Sequence, residues 1–135
     1  MTKNEVKERR RAPRIQTRLA LQVERTIRPA TERPLTTESI NLSSGGIRAC
    51  VRQEIEPATK VGLTLLVPSF GRKGKKTQVI TCTGIVVRCE RIRMEEDYDL
   101  ACAFTDVKKE DKLLIEEYIG WRLMQDLVDD RLSQP

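Results

Sequence analysis

The feature that most constrains the fold is an alternation of apolar and polar residues that recurs in six short segments. Successive side chains of a β-strand point to opposite faces, so a period of two is typical of strands with one buried and one solvated face. The segments are residues 18–24, 35–40, 47–52, 61–67, 78–89 and 98–104. Six such strands joined by short turns predict a closed or nearly closed, mainly β, six-stranded antiparallel barrel.

The end of the chain follows a helical period instead. Apolar residues recur there at intervals of three and four, with acidic residues between them, as on an amphipathic helix. These apolar residues are Leu114, Ile115, Tyr118, Ile119, Leu123 and Leu127. We expect a helix over residues 108–132 whose apolar face packs on the barrel, with Trp121 in that packing or at a partner contact.

Glycines mark the breaks between the strands. Residues 43–46 read Ser-Ser-Gly-Gly and residues 69–76 form a longer basic segment, so both predict turns between paired strands. Gly84 lies inside the longest alternating segment and predicts a bulge or a sharp bend there.

The first 17 residues are polar and charged and have no apolar period, so they cannot bury enough surface to fold alone. We therefore expect a flexible basic arm over residues 1–17, the barrel over residues 18–107 and the helix over residues 108–132. Residues 1–33 contain ten Lys or Arg against four Glu, whereas residues 105–135 contain five against eight acidic residues. The basic end is the candidate contact surface for an anion.

The composition does not support several other classes. No apolar run approaches the ~20 residues of a membrane span or forms the centre of a secretory signal, so we expect a cytoplasmic protein. The four cysteines lie far apart and the chain has no histidine, which favours cysteines packed in strands over a metal site. No nucleophile stands beside a base, so we expect neither an enzyme nor a bound cofactor.

Two short clusters bear on function. Residues 10–14 read Arg-Arg-Ala-Pro-Arg, and a guanidinium fork binds phosphate or the edge of guanine with two hydrogen bonds. Residues 41–46 read Asn-Leu-Ser-Ser-Gly-Gly, in which Asn41 and Ser43 can cap a turn and Gly46 permits a left-handed backbone or the close approach of a ligand. Taken alone, the first is typical of a basic tail or a nucleic-acid arm, and the second of an ordinary turn.

Together, in this order, the clusters resemble the signature of the PilZ family of bacterial cyclic di-GMP receptors. That signature is R-x-x-x-R followed by D/N-x-S-x-x-G, matched by Arg10 and Arg14 and then by Asn41, Ser43 and Gly46. The likeness continues through residues 84–88 and 98–119, so it covers most of the chain from Glu8 onward. It implies a six-stranded split barrel with a C-terminal helix and a binding function without catalysis.

The resemblance also implies a role for each matched residue. The two arginines grip phosphates and guanine edges, Asn41 and Ser43 hydrogen-bond the guanine and phosphate region, and Gly46 leaves space beside the base. Arg9 stands where the residue type decides between one ligand and an intercalated pair, and an arginine there favours the pair. Two further candidates for ligand contact lie on the barrel strands. These are Arg48 after the glycine turn and Arg88, which could stack on a guanine, and for both a solvated strand face is an equal alternative.

The main hypothesis is a receptor that changes conformation on binding cyclic di-GMP and signals through a partner protein yet to be identified. One alternative is an adaptor of the same fold that works without the ligand and contacts its partner through the C-terminal helix. Another is a small-barrel nucleic-acid binder, which would bind DNA or RNA of any sequence in a salt-dependent manner. The intact signature disfavours both alternatives.

Overall fold

The structure is a computed structural model that describes residues 13–71, 74–92 and 95–133. Seven strands and one helix make up the described chain. They are β1 (Ile15–Gln16), β2 (Ala20–Arg25), β3 (Leu35–Ser43), β4 (Gly46–Val51), β5 (Lys60–Gly71), β6 (Gly74–Arg91), β7 (Tyr98–Asp106) and α1 (Lys109–Ser133).

Six of the strands close into an antiparallel barrel. The order around it is β3, β2, β5, β6, β7 and β4, and β4 pairs back with β3 to complete the ring. Each strand predicted from the alternation is present, although β5 and β6 are longer than expected because their pairing extends to Gly71 and Gly74. The predicted six-stranded barrel with a C-terminal helix is therefore confirmed.

The extra strand, β1, lies within residues 1–17, the segment that the sequence predicts as a flexible arm. Its residues pair with the end of β3, Ile15 opposite Leu42 and Gln16 opposite Asn41. Ile15 is buried in the core, and so is Thr17. The barrel thus begins before residue 18, because one buried isoleucine and two pairs with β3 fix this end of the chain.

The core fills the barrel with side chains from alternate positions of every strand. Apart from Tyr118 its large members are aliphatic, as expected for a chain with few aromatic residues. They include Leu21, Val23, Leu42, Leu63, Leu65, Ile80, Val86 and Leu100, with Ile115 and Ile119 from the helix. Burying a side chain of this size contributes roughly 1.5–3 kcal/mol, so the alternation read from the sequence is the main determinant of the fold.

Gly84 lies at an irregularity of the ladder, as predicted. The register between β6 and β7 shifts between Thr83 and Gly84. A Cβ atom on Gly84 would lie 2.7 Å from the carbonyl oxygen of Ala103 and 3.0 Å from Leu63 Cδ1. Only glycine lets the two strands approach this closely.

The cysteines behave as packing residues. Cys82 and Cys102 are buried, and the apolar surroundings raise the pKa of their thiols to about 11 and about 12. Cys50 and Cys89 are half-buried on their strands. Among the described residues, no cluster of side chains suited to a metal ion is found.

The helix closes one side of the barrel with its first half. Ile115, Tyr118 and Ile119 are buried, whereas Met124 and Leu127 further along are exposed. Trp121 lies between the buried and the exposed part of the helix. It is 37% exposed, and the centre of its ring lies 6.3 Å from that of the buried Tyr118. Within the described ranges, no helix is long and apolar enough to cross a membrane.

A polar cluster at the middle of the helix, here called the helix junction, joins α1 to the end of the strand β1. The hydroxyls of Thr17 and Tyr118 lie 2.6 Å apart, and Arg122 donates to both at 3.0 and 3.2 Å. Arg122 also donates to the carbonyl oxygen of Gln16 at 3.0 Å. An unpaired buried hydroxyl costs roughly 1–3 kcal/mol. Mutual bonding therefore allows Thr17 and Tyr118 to lie inside the protein.

Candidate ligand-binding cleft

A cleft of about 530 Å³ opens on the outside of the barrel, where the β3–β4 hairpin lies beside β7 and β6. Sites for small ligands commonly occupy 300–1,000 Å³. Its lining includes six of the residues predicted from the sequence, namely Arg14, Asn41, Ser43, Gly46, Arg48 and Arg88. Arg9 and Arg10 lie outside the described residues.

The hairpin between β3 and β4 forms one wall of the cleft. Ser43 pairs with Gly46 across a two-residue turn. The Ser43 hydroxyl accepts a hydrogen bond from the Gly45 amide at 3.2 Å and lies 3.5 Å from the carbonyl oxygen of Gly46, to which it donates. The predicted role of Ser43 in capping the turn is present, and the same hydroxyl is at the edge of the cleft.

Gly46 is required for a reason that the sequence did not indicate. Its backbone is not in the left-handed region, and no ligand is needed to explain it. A Cβ atom at this position would collide with the carbonyl oxygen of Cys102 on β7. Gly46 therefore lets β4 approach the neighbouring strand, which brings the hairpin against the floor of the cleft.

Asn41 faces the cleft because of a bulge in β3. The register to β4 pairs Ser39 with Ala49 and Asn41 with Arg48, so Ile40 is an extra residue. Ser39 and Leu42 point into the core while Ile40 and Asn41 both point away from it. Strict alternation from Ser39 would have turned Asn41 inward, so the bulge brings its amide to the cleft, as bulges near binding sites often do.

A second bulge does the same for Arg88. On β6, Val86 pairs with Cys102 and Arg88 with Ala101, which leaves Val87 as the extra residue. Val86 is buried, whereas Val87 and Arg88 are both exposed and both line the cleft. Strict alternation from the buried Val86 would have turned Arg88 inward. The bulge instead brings Arg88 to the same surface as Arg48 and Asn41.

The floor of the cleft is made of small side chains on β7. Ala101 and Ala103 point outward, opposite to the buried Leu100 and Cys102. Ala101 pairs with Arg48 on one side and with Arg88 on the other. A low apolar floor between two guanidinium groups suits a flat ring, because aromatic faces stack on apolar surface and on guanidinium planes.

Asp99, two residues along β7, connects the two arginines. Arg48 Nε donates to Asp99 Oδ1 at 2.7 Å, and Arg88 Nη2 lies 3.7 Å from Asp99 Oδ2. The hydrogen bond to the Asp99 carboxylate raises the pKa of Arg48. We did not predict a role for Asp99, because it becomes visible only when the registers of three strands are known.

Arg14 comes to the cleft from the opposite side. It directly precedes β1, whose Gln16 pairs with Asn41. Its exposed side chain lines the cleft together with those of Asn41 and Arg48. Both signature clusters therefore meet at one surface, as far as the described residues reach. The site combines guanidinium groups, an amide, a hydroxyl and an apolar floor, which matches a ligand that has both negative charge and a planar base.

Comparison with known proteins agrees with this fold. The family model of the PilZ domain matches residues 8–121. The chain therefore belongs to the PilZ domain family. A search of curated protein sequences found no match.

Several solved structures share the fold. MotI/DgrA, the inhibitor of motility of Bacillus subtilis, superposes with a TM-score of 0.71 at 18% identity, over 85% of this chain and 51% of that one. The PilZ domain of YcgR from Escherichia coli, solved with c-di-GMP, has a TM-score of 0.62 at 17% identity, over 93% and 99% of the two chains. The K. pneumonia MrkH–c-di-GMP complex has a TM-score of 0.55 at 16% identity, over 92% of this chain and 55% of that one. The chain thus spans about half the length of MotI/DgrA and of MrkH.

Proposed function

We propose that this protein is a cyclic di-GMP receptor that acts without catalysis or a bound cofactor and signals in the cytoplasm through a partner protein. The observation that supports it best is the convergence of Arg14, Asn41, Ser43, Arg48 and Arg88 on one cleft. These residues come from three separate parts of the chain, namely the segment before β1, the β3–β4 hairpin and β6. Family membership and the c-di-GMP-bound PilZ domain of YcgR add support from relatives.

The chemistry of the cleft fits the two components of the ligand. Phosphate oxygens accept bidentate hydrogen bonds from arginine, and the O6/N7 edge of guanine accepts the same fork. The Asn41 amide offers one acceptor to the N–H groups of guanine and one donor group to its carbonyl. Arg14 and Arg10 then supply phosphate contacts, Arg48 and Arg88 flank the base over Ala101, and Arg9 favours an intercalated pair of ligands.

The same geometry favours a change of conformation on binding. The barrel wall that carries Asn41, Ser43 and Arg48 is fixed by strand pairing, whereas Arg14 precedes β1 and is exposed. A ligand that bonds to Arg10 as well as to this wall would bring the residues before Pro13 over the cleft. The surface offered to a partner then differs between the free and the bound protein.

Calorimetric titration with cyclic di-GMP tests the function, with GTP and linear di-GMP as competitors of similar chemistry. We expect selective binding with one or two ligands per chain. Arg14→Ala should weaken it at least tenfold, since a charge-assisted hydrogen bond is worth roughly 1.5–3 kcal/mol. Arg18→Ala is the matched control, because Arg18 is exposed four residues further on and does not line the cleft.

Three results would contradict the proposal. If GTP binds as tightly as cyclic di-GMP, or if cyclic di-GMP does not bind, cyclic di-GMP is not the specific ligand. Salt-dependent binding to arbitrary DNA would favour the nucleic-acid reading instead. Hydrogen exchange over residues 1–17 tests the conformational step, and unchanged exchange on saturation with ligand would exclude it.

A further inference from the structure

Asp99 is the one acidic side chain bonded to the arginines of the cleft among the described residues, yet it does not line the cleft itself. It lies behind the two arginines, with 19% of its side chain exposed against 40% for Arg48 and 48% for Arg88. A carboxylate placed in this way has little contact with a ligand. Its contacts are with the groups that would bind one.

The strand registers show why both arginines can share one carboxylate. Arg48 and Arg88 each pair with Ala101, from β4 and β6 on either side of β7. Neighbouring strands lie about 4.8 Å apart, so the two backbones are roughly 10 Å apart. Asp99 is two residues from Ala101 on the same face, within reach of both guanidinium groups.

The atoms that bond to Asp99 leave other donors available. Arg48 uses Nε, so both of its terminal nitrogens remain for another partner. Arg88 approaches with Nη2 alone, in an ion pair that is too long for a hydrogen bond. The rigid, flat guanidinium of Arg48 is restrained at its Nε edge, while Arg88 is kept near it by charge attraction to the same carboxylate. The carboxylate also reduces the repulsion between two like charges that face each other across Ala101.

We propose that Asp99 is a positioning residue that determines which ligands the cleft accepts. It keeps the side chains of Arg48 and Arg88 in place on either side of Ala101, so that a planar base can lie on the apolar floor between two positioned cations. Without Asp99 the cleft would keep its positive charge but lose this fixed arrangement, and it would bind phosphate groups with less regard to the base. This inference rests on the proposed cyclic di-GMP function.

The test compares two ligands on Asp99→Asn. Cyclic di-GMP contains both base and phosphate, whereas pyrophosphate has only the phosphate charge. Asp99→Asn removes a negative charge, so pyrophosphate should bind as tightly as to the wild type or more tightly. We expect cyclic di-GMP to bind about tenfold more weakly, since the orientation of two charged donors is lost. The ratio of the two affinities is the readout.

Asp97→Asn is the matched control. Asp97 lies two residues earlier, 3.9 Å from Arg52, and Arg52 is 93% exposed and outside the cleft. This variant loses the same charge from a similar pair, and it should leave the ratio unchanged. Asp99→Glu keeps the charge one methylene further out and should bind cyclic di-GMP with an affinity between those of the wild type and Asp99→Asn.

The outcomes separate the two proposals. If the wild type does not bind cyclic di-GMP, the proposed function is wrong. The positioning role is wrong if the wild type binds cyclic di-GMP and Asp99→Asn keeps the wild-type ratio of the two affinities. This holds whether both affinities are unchanged, both higher or both lower by the same factor. Should Asp99→Asn fail to fold, Asp99→Glu decides, and cyclic di-GMP binding at the wild-type affinity would overturn the role.

Discussion

Two parts of the molecule, the helix junction and the cleft, use arginine for different purposes. At the helix junction, Arg122 donates to Thr17, Tyr118 and the Gln16 carbonyl, so its terminal nitrogens are taken up within the protein. In the cleft, Arg48 and Arg88 share the single carboxylate of Asp99. The number of donors that the protein satisfies thus distinguishes an arginine that stabilises the fold from one that is available to a ligand.

This comparison predicts opposite effects in the two clusters. Substitutions in the cleft should change ligand affinity and leave stability almost unaltered. Substitutions at the helix junction should change stability and leave affinity almost unaltered. Each of the following variants is to be measured for both quantities.

The largest effect is expected for the double variant Arg48→Ala/Arg88→Ala. It removes two charged donors, each worth roughly 1.5–3 kcal/mol when bonded to a ligand, so cyclic di-GMP affinity should fall at least 100-fold by calorimetry. The unfolding free energy in urea should change by less than about 1 kcal/mol, as is usual for partly exposed ion pairs.

Arg52→Ala/Arg91→Ala is the control for the loss of two positive charges. Both of its arginines are exposed and lie outside the cleft. If this variant binds as weakly as the cleft variant, general electrostatic attraction explains the affinity and the cleft arginines have no special role.

Arg122→Ala should affect the stability of the protein and not its affinity for the ligand. It removes three hydrogen bonds at the helix junction and leaves two buried hydroxyls with one partner fewer. We expect the unfolding free energy to fall by about 1–3 kcal/mol. Cyclic di-GMP affinity should stay within about threefold. A loss of affinity above tenfold in folded protein would show that the helix junction takes part in binding and that the two clusters do not have separate roles.

Tyr118→Phe tests a single bond of the same cluster. The ring stays in the core while the hydroxyl, 2.6 Å from Thr17 Oγ1, is lost, and we expect a decrease of about 1 kcal/mol in urea unfolding. Tyr98→Phe makes the same chemical change at the other tyrosine, which has no hydroxyl hydrogen bond within the described part of the chain. An equal effect of both variants would mean that the helix junction contributes nothing specific.

The smallest effect is expected for Asn41→Asp. A carboxylate offers two acceptors to guanine N–H groups where the amide offers one, but it also lies near phosphate charge. We expect affinity to be unchanged or up to about fivefold tighter. Loss of binding in a titration would contradict the assignment of Asn41 to the base.

Much of the architecture could be predicted because burial repeats along the chain. The alternating segments specified all six strands of the barrel, and the change of period located the helix within a residue at each end. The strand β1 was missed because two residues with one apolar side chain have no period. Asp99 was missed because its importance comes from two arginines on neighbouring strands, 51 and 11 residues away in sequence.

The approximate location of the site could also be predicted, but the direction of its side chains could not. The signature residues were identified as letters in the sequence, and four of them, Arg14, Asn41, Ser43 and Gly46, line one cleft together with Arg48 and Arg88. Alternation alone, however, would turn Asn41 and Arg88 toward the core. The bulges at Ile40 and Val87 reverse this, and neither residue is a glycine or a proline that would mark an irregular strand.

The bulges also mean that the site does not depend on the two extra residues themselves. Removal of the codon for Val87 would leave Arg88 opposite Ala101 in a regular ladder, next to the inward-facing Val86 and therefore still on the outer face. Removal of the codon for Ile40 would likewise keep Asn41 opposite Arg48 and facing outward. A relative that lacks either residue can therefore keep the site, so a one-residue gap at these positions in an alignment is not evidence that binding has been lost.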